Sequence, residues 1–263
     1  MNSALLWSGP TQLPGQTGQI AAVVTGIRGT SLNRKTGPMA QVWYIPVDQG
    51  PLVGGEGAVL GGRDRAVCGS CKHRPSDGGV CYVDVPSGPQ RVLHTYERGA
   101  YPRPSRSELR ELLRGKAVRF GAYGEPPSIP LDVYADILPV LGSWQGYTHA
   151  WSHLDVRDWG WLMASTDSRA ETAEARARGW RTFRVRLEGE PLEANERVCP
   201  AAEEAGSKLT CMQCRQCNGS LEAPGRPSRV IVAHGFRSAR FPDVARQLRL
   251  FGEQPPDAAS LLR

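Results

Sequence analysis

The chain has 263 residues, 40% of them hydrophobic and 7% aromatic, which is enough to bury a core and excludes a disordered polymer. A formal charge of +6 and a pI of about 9.1 lean toward an anionic partner, a nucleotide or nucleic-acid substrate among them. No stretch approaches the roughly 20 apolar residues of a spanning helix, so no membrane partner is expected.

The opening Met1-Asn-Ser-Ala-Leu-Leu-Trp7 lacks the basic and apolar parts of a secretion signal, so a reducing cytoplasm is the expected setting. There an odd count of seven cysteines makes a poor disulfide framework. Lysine stands only at Lys35, Lys72, Lys116 and Lys208, and arginine supplies the rest of the positive charge. Thiolates that hold metal would themselves need such basic neighbours.

Residues 1–104 read as strands and loops, with strand-like runs at 19–27 and 41–47 around the polar, glycine-bounded segment 29–37. Glycines from Gly54 to Gly62 lack the Lys-Ser/Thr ending of a phosphate loop and are read as connection. The first cysteine group follows as Cys68-Gly-Ser-Cys71, nine residues, then Cys81.

From 105 to 263 the pattern changes, within what reads as one integrated domain. Ser105 caps an amphipathic run that ends at Gly115. Strands are expected at 117–123, 147–151, 161–165, 182–187 and 230–233, with helices at 131–141, 168–178 and 243–250. This alternation predicts an α/β fold with mainly parallel strands, a partial or modified (β/α) barrel carrying loop-rich cysteine metal sites. Reactive groups should then gather at the carboxyl ends of the strands, at Tyr123–Pro126, His149–His153, Ser165–Ser168 and Ala233–Gly235.

The second cysteine group is Cys199 followed by Cys211-Met-Gln-Cys214-Arg-Gln-Cys217. Cysteines separated by two residues can meet different irons of a cubane while Cys199 arrives from elsewhere, which favours a [4Fe–4S] cluster over zinc. The first group offers three thiols. A fourth ligand from His73 or His94 would make a closed Cys₃His zinc site, and none would leave an open iron in a second cluster. All seven cysteines, Cys68, Cys71, Cys81, Cys199, Cys211, Cys214 and Cys217, are therefore candidate metal ligands.

Three cysteines with an aromatic after the last, Tyr123-Gly-Glu-Pro126 at a strand end and a C-terminal cysteine cluster together resemble the radical S-adenosylmethionine superfamily. The spacing of two then nine differs from that superfamily's three then two. The resemblance implies catalytic Cys68, Cys71 and Cys81 on a cluster, Gly124 and Glu125 lining an S-adenosylmethionine site, and an electron donor as partner.

The whole chain is also similar to a set of cysteine-rich phage and prophage proteins from GC-rich bacteria. The residues that carry this are Asn33–Met39, Val118–Pro126, Gly179–Val185 and the cysteines ending at Asn218-Gly219. It implies a mobile-element origin and no particular activity. Two further readings compete: a zinc- or cluster-stabilised nucleic-acid-binding protein, and an iron–sulfur redox sensor without turnover.

Other candidates have plainer explanations. His149 and His153 stand four apart but in a strand-like run, and Trp144, Trp151, Trp159, Trp161 and Trp180 are read first as core. Asp167 or Glu125 offers a base without an evident proton donor, and no serine–histidine–acid set stands out.

Overall fold

A computed structural model describes residues 1–30, 33–54, 59–207, 209–220, 225–235 and 237–245. Strand β1 (Ser3–Pro10) pairs antiparallel with β2 (Gln19–Thr25), whose run Ile20–Val24 is buried throughout, as a central strand requires. β2 pairs antiparallel with β3 (Ala40–Pro46), and β4 (Ala117–Tyr123) and β5 (Ser143–Gln145) then join in parallel, giving the order β1-β2-β3-β4-β5.

The second sheet contains β6 (Tyr147–Thr148), β7 (Met163–Thr166), β8 (Thr182–Arg186), β9 (Glu196–Val198) and β10 (Ser228–Val232). It runs β6-β7-β8-β10-β9 and is parallel throughout. Gly146 alone separates β5 from β6, so one short segment serves both sheets. A side chain there would meet Leu162 Cδ2 at 2.5 Å, which is why glycine occupies the seam. The fold is thus α/β with mainly parallel strands, as the alternation predicts.

Helices α1 (Arg65–Cys68), α2 (Pro89–Glu97), α3 (Arg106–Leu113), α4 (Leu131–Ile137), α5 (Val156–Trp159), α6 (Arg169–Ala177) and α7 (Cys211–Cys214) fill the connections. α3 begins with the expected cap: Ser105 Oγ accepts from Glu108 N, and the Glu108 carboxylate accepts from Ser105 N at 2.8 Å. The main core joins Ile20, Val23, Tyr44 and Leu93 from the first hundred residues to Phe120, Tyr134, Leu162 and Trp180 from the rest. Trp151, Trp161 and Trp180 are buried in it, and Trp144 and Trp159 pack against it.

Several elements differ from expectation. α2 interrupts a region read as strand and loop, because Pro89 at its first turn, which reads as a breaker, suits a helix start. The helix expected at 131–141 divides at Ile137 into α4 and a 3₁₀ turn, Leu138–Val140, since Pro139 lacks the N–H that would continue it. The strand expected at 147–151 ends at Thr148. The strand expected at 161–165 begins two residues later. β1, β5 and β9 have no counterpart in the sequence reading. Of the helix expected at 243–250, residues 243–245 are helical, in a stretch that begins at 241, and 246–250 lie outside the described residues.

Candidate metal centres facing one cavity

The first cysteine group lies on the connection that leaves the carboxyl end of β3. Cys68 closes α1, and its carbonyl accepts from Cys71 N at 3.0 Å. The nine-residue segment that follows is built around Arg74, which is 1% exposed. Its Nε and Nη2 donate to Asp64 Oδ1 at 3.0 and 2.8 Å, and its Nη1 donates to Asp77 Oδ2 at 3.0 Å. Cys81 N then donates to the His73 carbonyl at 2.9 Å, returning the third thiol to the first two. Gly79 permits this closure, since a side chain there would lie 2.3 Å from the His73 backbone.

The turn after β4 meets this group through its backbone, Glu125 N donating to the Val67 carbonyl at 2.7 Å. Gly124 has φ +77, and a Cβ there would sit 2.8 Å from Tyr44 Cβ, so only glycine lets the turn press on β3. Tyr134 Oη donates to the Pro126 carbonyl at 2.7 Å and shares a 2.6 Å hydrogen bond with Tyr44 Oη, which fixes the turn from behind. The buried Glu125 carboxylate accepts from Thr148 Oγ1 at 2.7 Å, from His149 N at 3.0 Å and from His149 Nδ1 at 2.9 Å. Capture of Thr148 and His149 by this carboxylate is what ends β6.

Past β7, Asp167 accepts from His73 Nε2 at 2.8 Å. Burial pushes this carboxyl up, but His73 and then His149 and Lys72 outweigh it and hold it down at about 2. Burial also opposes a charge on His149, yet Cys71 and Glu125 prevail and raise its pKa. Each imidazole thus has one nitrogen held by a carboxylate; His73 Nδ1 is buried with no hydrogen-bond partner among the described residues, and His149 also interacts with the Cys71 thiol.

The second group lies across the other sheet, with Cys199 after the edge strand β9 and Cys217 beside β6, where its carbonyl accepts from Gly146 N at 3.3 Å. Cys199 follows β9 and its N–H donates to the Val230 carbonyl at 2.8 Å. Thr210 caps α7 in a box with Gln213. Cys211 N and Met212 N donate to the carbonyls of Lys35 and Thr36 at 3.0 and 3.1 Å, which seats the cysteine turn against residues 33–37. Arg181 clamps the remainder, donating to the carbonyls of Gly219, Gln216 and Pro227 at 2.6, 2.9 and 3.1 Å.

All seven cysteines are free thiols, each at most partly exposed. Burial, reinforced by Asp64, Cys71 and Cys81, pushes the Cys68 thiol well up. Cys81 is pushed up to about 11 by burial, with Cys71 adding and the Val83 backbone N–H opposing. Cys217 reaches about 12 through burial, against a hydrogen bond from Tyr147, with Cys199, Cys211 and Cys214 adding. In each group the thiols are therefore near enough to repel one another as thiolates. Such repulsion is what a metal cation would reverse on displacing the protons.

Ligand atoms within 4.8 Å of one another occur in the sets Cys71–Glu125–His149 and His73–His149–Asp167, and no three cysteines form such a set among the described residues. Both groups open onto one cavity of about 440 Å³, which Cys68, Cys71 and Cys81 line together with Cys199 and Cys211. Tyr123, His149, Ser165 and Ala233 also line it, so all four strand ends expected to form a rim converge there.

Gly124 and Glu125 lie in the wall, and so does His73. His94 does not: it is exposed on α2 and bonds Gln90 at 2.7 Å, which removes it as a ligand to the first group. His153 is exposed while His149 lines the cavity, so the two share no site. Arg74, Arg119 and Arg181 were not legible as site residues, because in an arginine-rich chain each reads as surface charge. No family model matches the chain, and neither a curated protein nor a solved structure shows significant similarity to it.

Proposed function

We propose that this protein is an iron–sulfur enzyme of the radical S-adenosylmethionine type, with two clusters on facing walls of one cavity. One observation carries the reading. Three thiols and the Tyr123–Pro126 turn stand at the carboxyl ends of the neighbouring parallel strands β3 and β4, in the wall of the cavity that the second thiol group also lines. The parallel strands from β3 to β9, passing between sheets at Gly146, are read as a partial (β/α) barrel whose mouth is this cavity.

The donor sets fit clusters better than single ions. Four thiolates around one zinc at about 2.3 Å would crowd within 4 Å of each other, whereas thiolates on separate irons stand wider. Among the described residues the compact donor sets mix Cys71, His73 and His149 with Glu125 and Asp167, so the cluster reading rests on the number and spacing of the cysteines. Cys68, Cys71 and Cys81 would hold a [4Fe–4S] cluster with one iron open, and Cys199, Cys211, Cys214 and Cys217 a closed one. When bound, the open cluster supplies an electron and a coordination site for reductive cleavage of S-adenosylmethionine, which starts hydrogen abstraction from a substrate.

The chain's own residues hold the site in shape: Arg74 fixes the first loop, Glu125 orients His149, and burial excludes water. Oxygen-free preparation followed by iron and sulfide counting tests the reading, with about eight irons per chain expected for two clusters. S-adenosylmethionine should change the spectrum of the iron-loaded protein, and Cys81→Ala should abolish that change. Zinc alone in the protein, or a spectrum indifferent to S-adenosylmethionine, would overturn it.

A further inference from the structure

The cavity wall is charged unevenly. Its acids are Asp64 and Glu125, and both are engaged, Asp64 by Arg74 at 2.8 Å and Glu125 by His149 at 2.9 Å. Two of its cations, Lys35 and Arg119, meet no carboxylate among the described residues. Lys35 Nζ lies 3.2 Å from His234 Nε2, and Arg119 Nη2 makes a long 3.4 Å contact with Tyr82 Oη. Both side chains are partly buried, so their charge is less screened than on an open surface. Arg119 sits on β4 opposite Gln145, the residue whose amide reaches the Cys211 thiol, and therefore faces the space between the two cysteine groups.

Lys35 and Arg119 also act on the second group's thiols, Lys35 on Cys199 and both on Cys211, but that group has further cations of its own outside the cavity. Arg181 clamps the loop carbonyls and acts on Cys217, and Arg229 bonds Gln216 at 3.0 Å and acts on Cys199. Lys35 and Arg119 stand on the open side instead. A guanidinium held by one long contact keeps its planar fork free for two parallel bonds to an oxyanion, and the ammonium beside it adds a point charge.

We infer that Lys35 and Arg119 form an oxyanion site between the two cysteine groups, so that the substrate is a small molecule bearing a carboxylate or phosphate. The inference rests on the reading of the cavity as a substrate chamber between clusters. Titration calorimetry on the iron-loaded protein, with succinate in one arm and inorganic pyrophosphate in the other, tests it and tells the two oxyanions apart. At least one probe should bind, and Arg119→Gln and Lys35→Met should each weaken it about tenfold or more, with Arg119→Lys intermediate. The iron content of these variants should equal that of the parent.

Failure of both probes to bind, or equal affinity in the Gln and Met variants, overturns the site. Loss of iron from those variants does so too, since it would assign the cations to the thiolates. Iron counting on the same preparation judges the cluster reading separately, so either idea can fall without the other.

Discussion

Arg184 and Glu196 show what single residues contribute beneath the cavity. Both side chains are wholly buried, and the guanidinium donates to the carboxylate through Nε at 2.9 Å and Nη2 at 2.8 Å. Burial works to raise Glu196, but Arg184 and the Glu193 backbone N–H outweigh it and hold the carboxyl below its ordinary value of 4.5. A carboxyl lowered on folding stabilises the protein above its unfolded pKa, and that stabilisation fades as pH falls through the folded one. Glu196→Gln should therefore cost about 3–5 kcal/mol at neutral pH, as removal of one partner from a buried pair does. The gap between variant and parent in urea unfolding should shrink as pH drops below 4.5, and a gap constant down to acid pH would remove this role. Gly124→Ala is the second test at this scale. With φ +77 and Tyr44 Cβ 2.8 Å from the added methyl, it should cost about 1–3 kcal/mol or more. It should also remove any spectral response to S-adenosylmethionine, whereas Gly115→Ala, where φ is +69 and the space is open, should cost less and leave the response intact.

Among elements, the two cysteine loops are held by separate devices, and each can be dismantled alone. Arg74→Ala deletes the fork that shapes the segment between Cys71 and Cys81, and should lower iron from about eight to about four per chain while the second group stays loaded. Arg181→Ala should do the reverse, since it frees the carbonyls of Gly219, Gln216 and Pro227. Loss of all iron in either variant would show the two loops to be one unit. The elements were unevenly legible. β4 and α6 announce themselves through β-branched or capped runs, and Tyr123–Pro126 was recognisable as a rim segment. α2 was hidden by Gly88-Pro89, which reads as a turn. The path from Cys71 to Cys81 depends on Asp64 accepting from Arg74 ten residues later, a partnership that no local pattern encodes.

For the molecule as a whole, the main finding is that both cysteine groups line one cavity. The sequence gives their spacings but not their meeting, because that meeting is made by pairs distant in the chain, Cys211 with Lys35 and Gly146 with Cys217. If both clusters are present, the fully reduced protein should give an electron paramagnetic resonance spectrum broadened beyond the sum of its single-cluster variants, Cys68→Ala and Cys214→Ala. A simple sum would place the clusters magnetically apart. Metal removal should lower the midpoint of thermal unfolding, because a ligand bound only by the folded state stabilises it. The seating of Cys211 and Met212 on the backbone of Lys35 and Thr36 also bears on biosynthesis. A ribosome releases the first three cysteines long before it makes the wall that will face them. Through most of translation these sulfurs stand beside an unfinished hollow, so if the proposed clusters are bound, their loading belongs after the nascent polypeptide is nearly complete, and a transcript truncated ahead of Cys199 would yield a product whose first three sulfurs lack their facing wall.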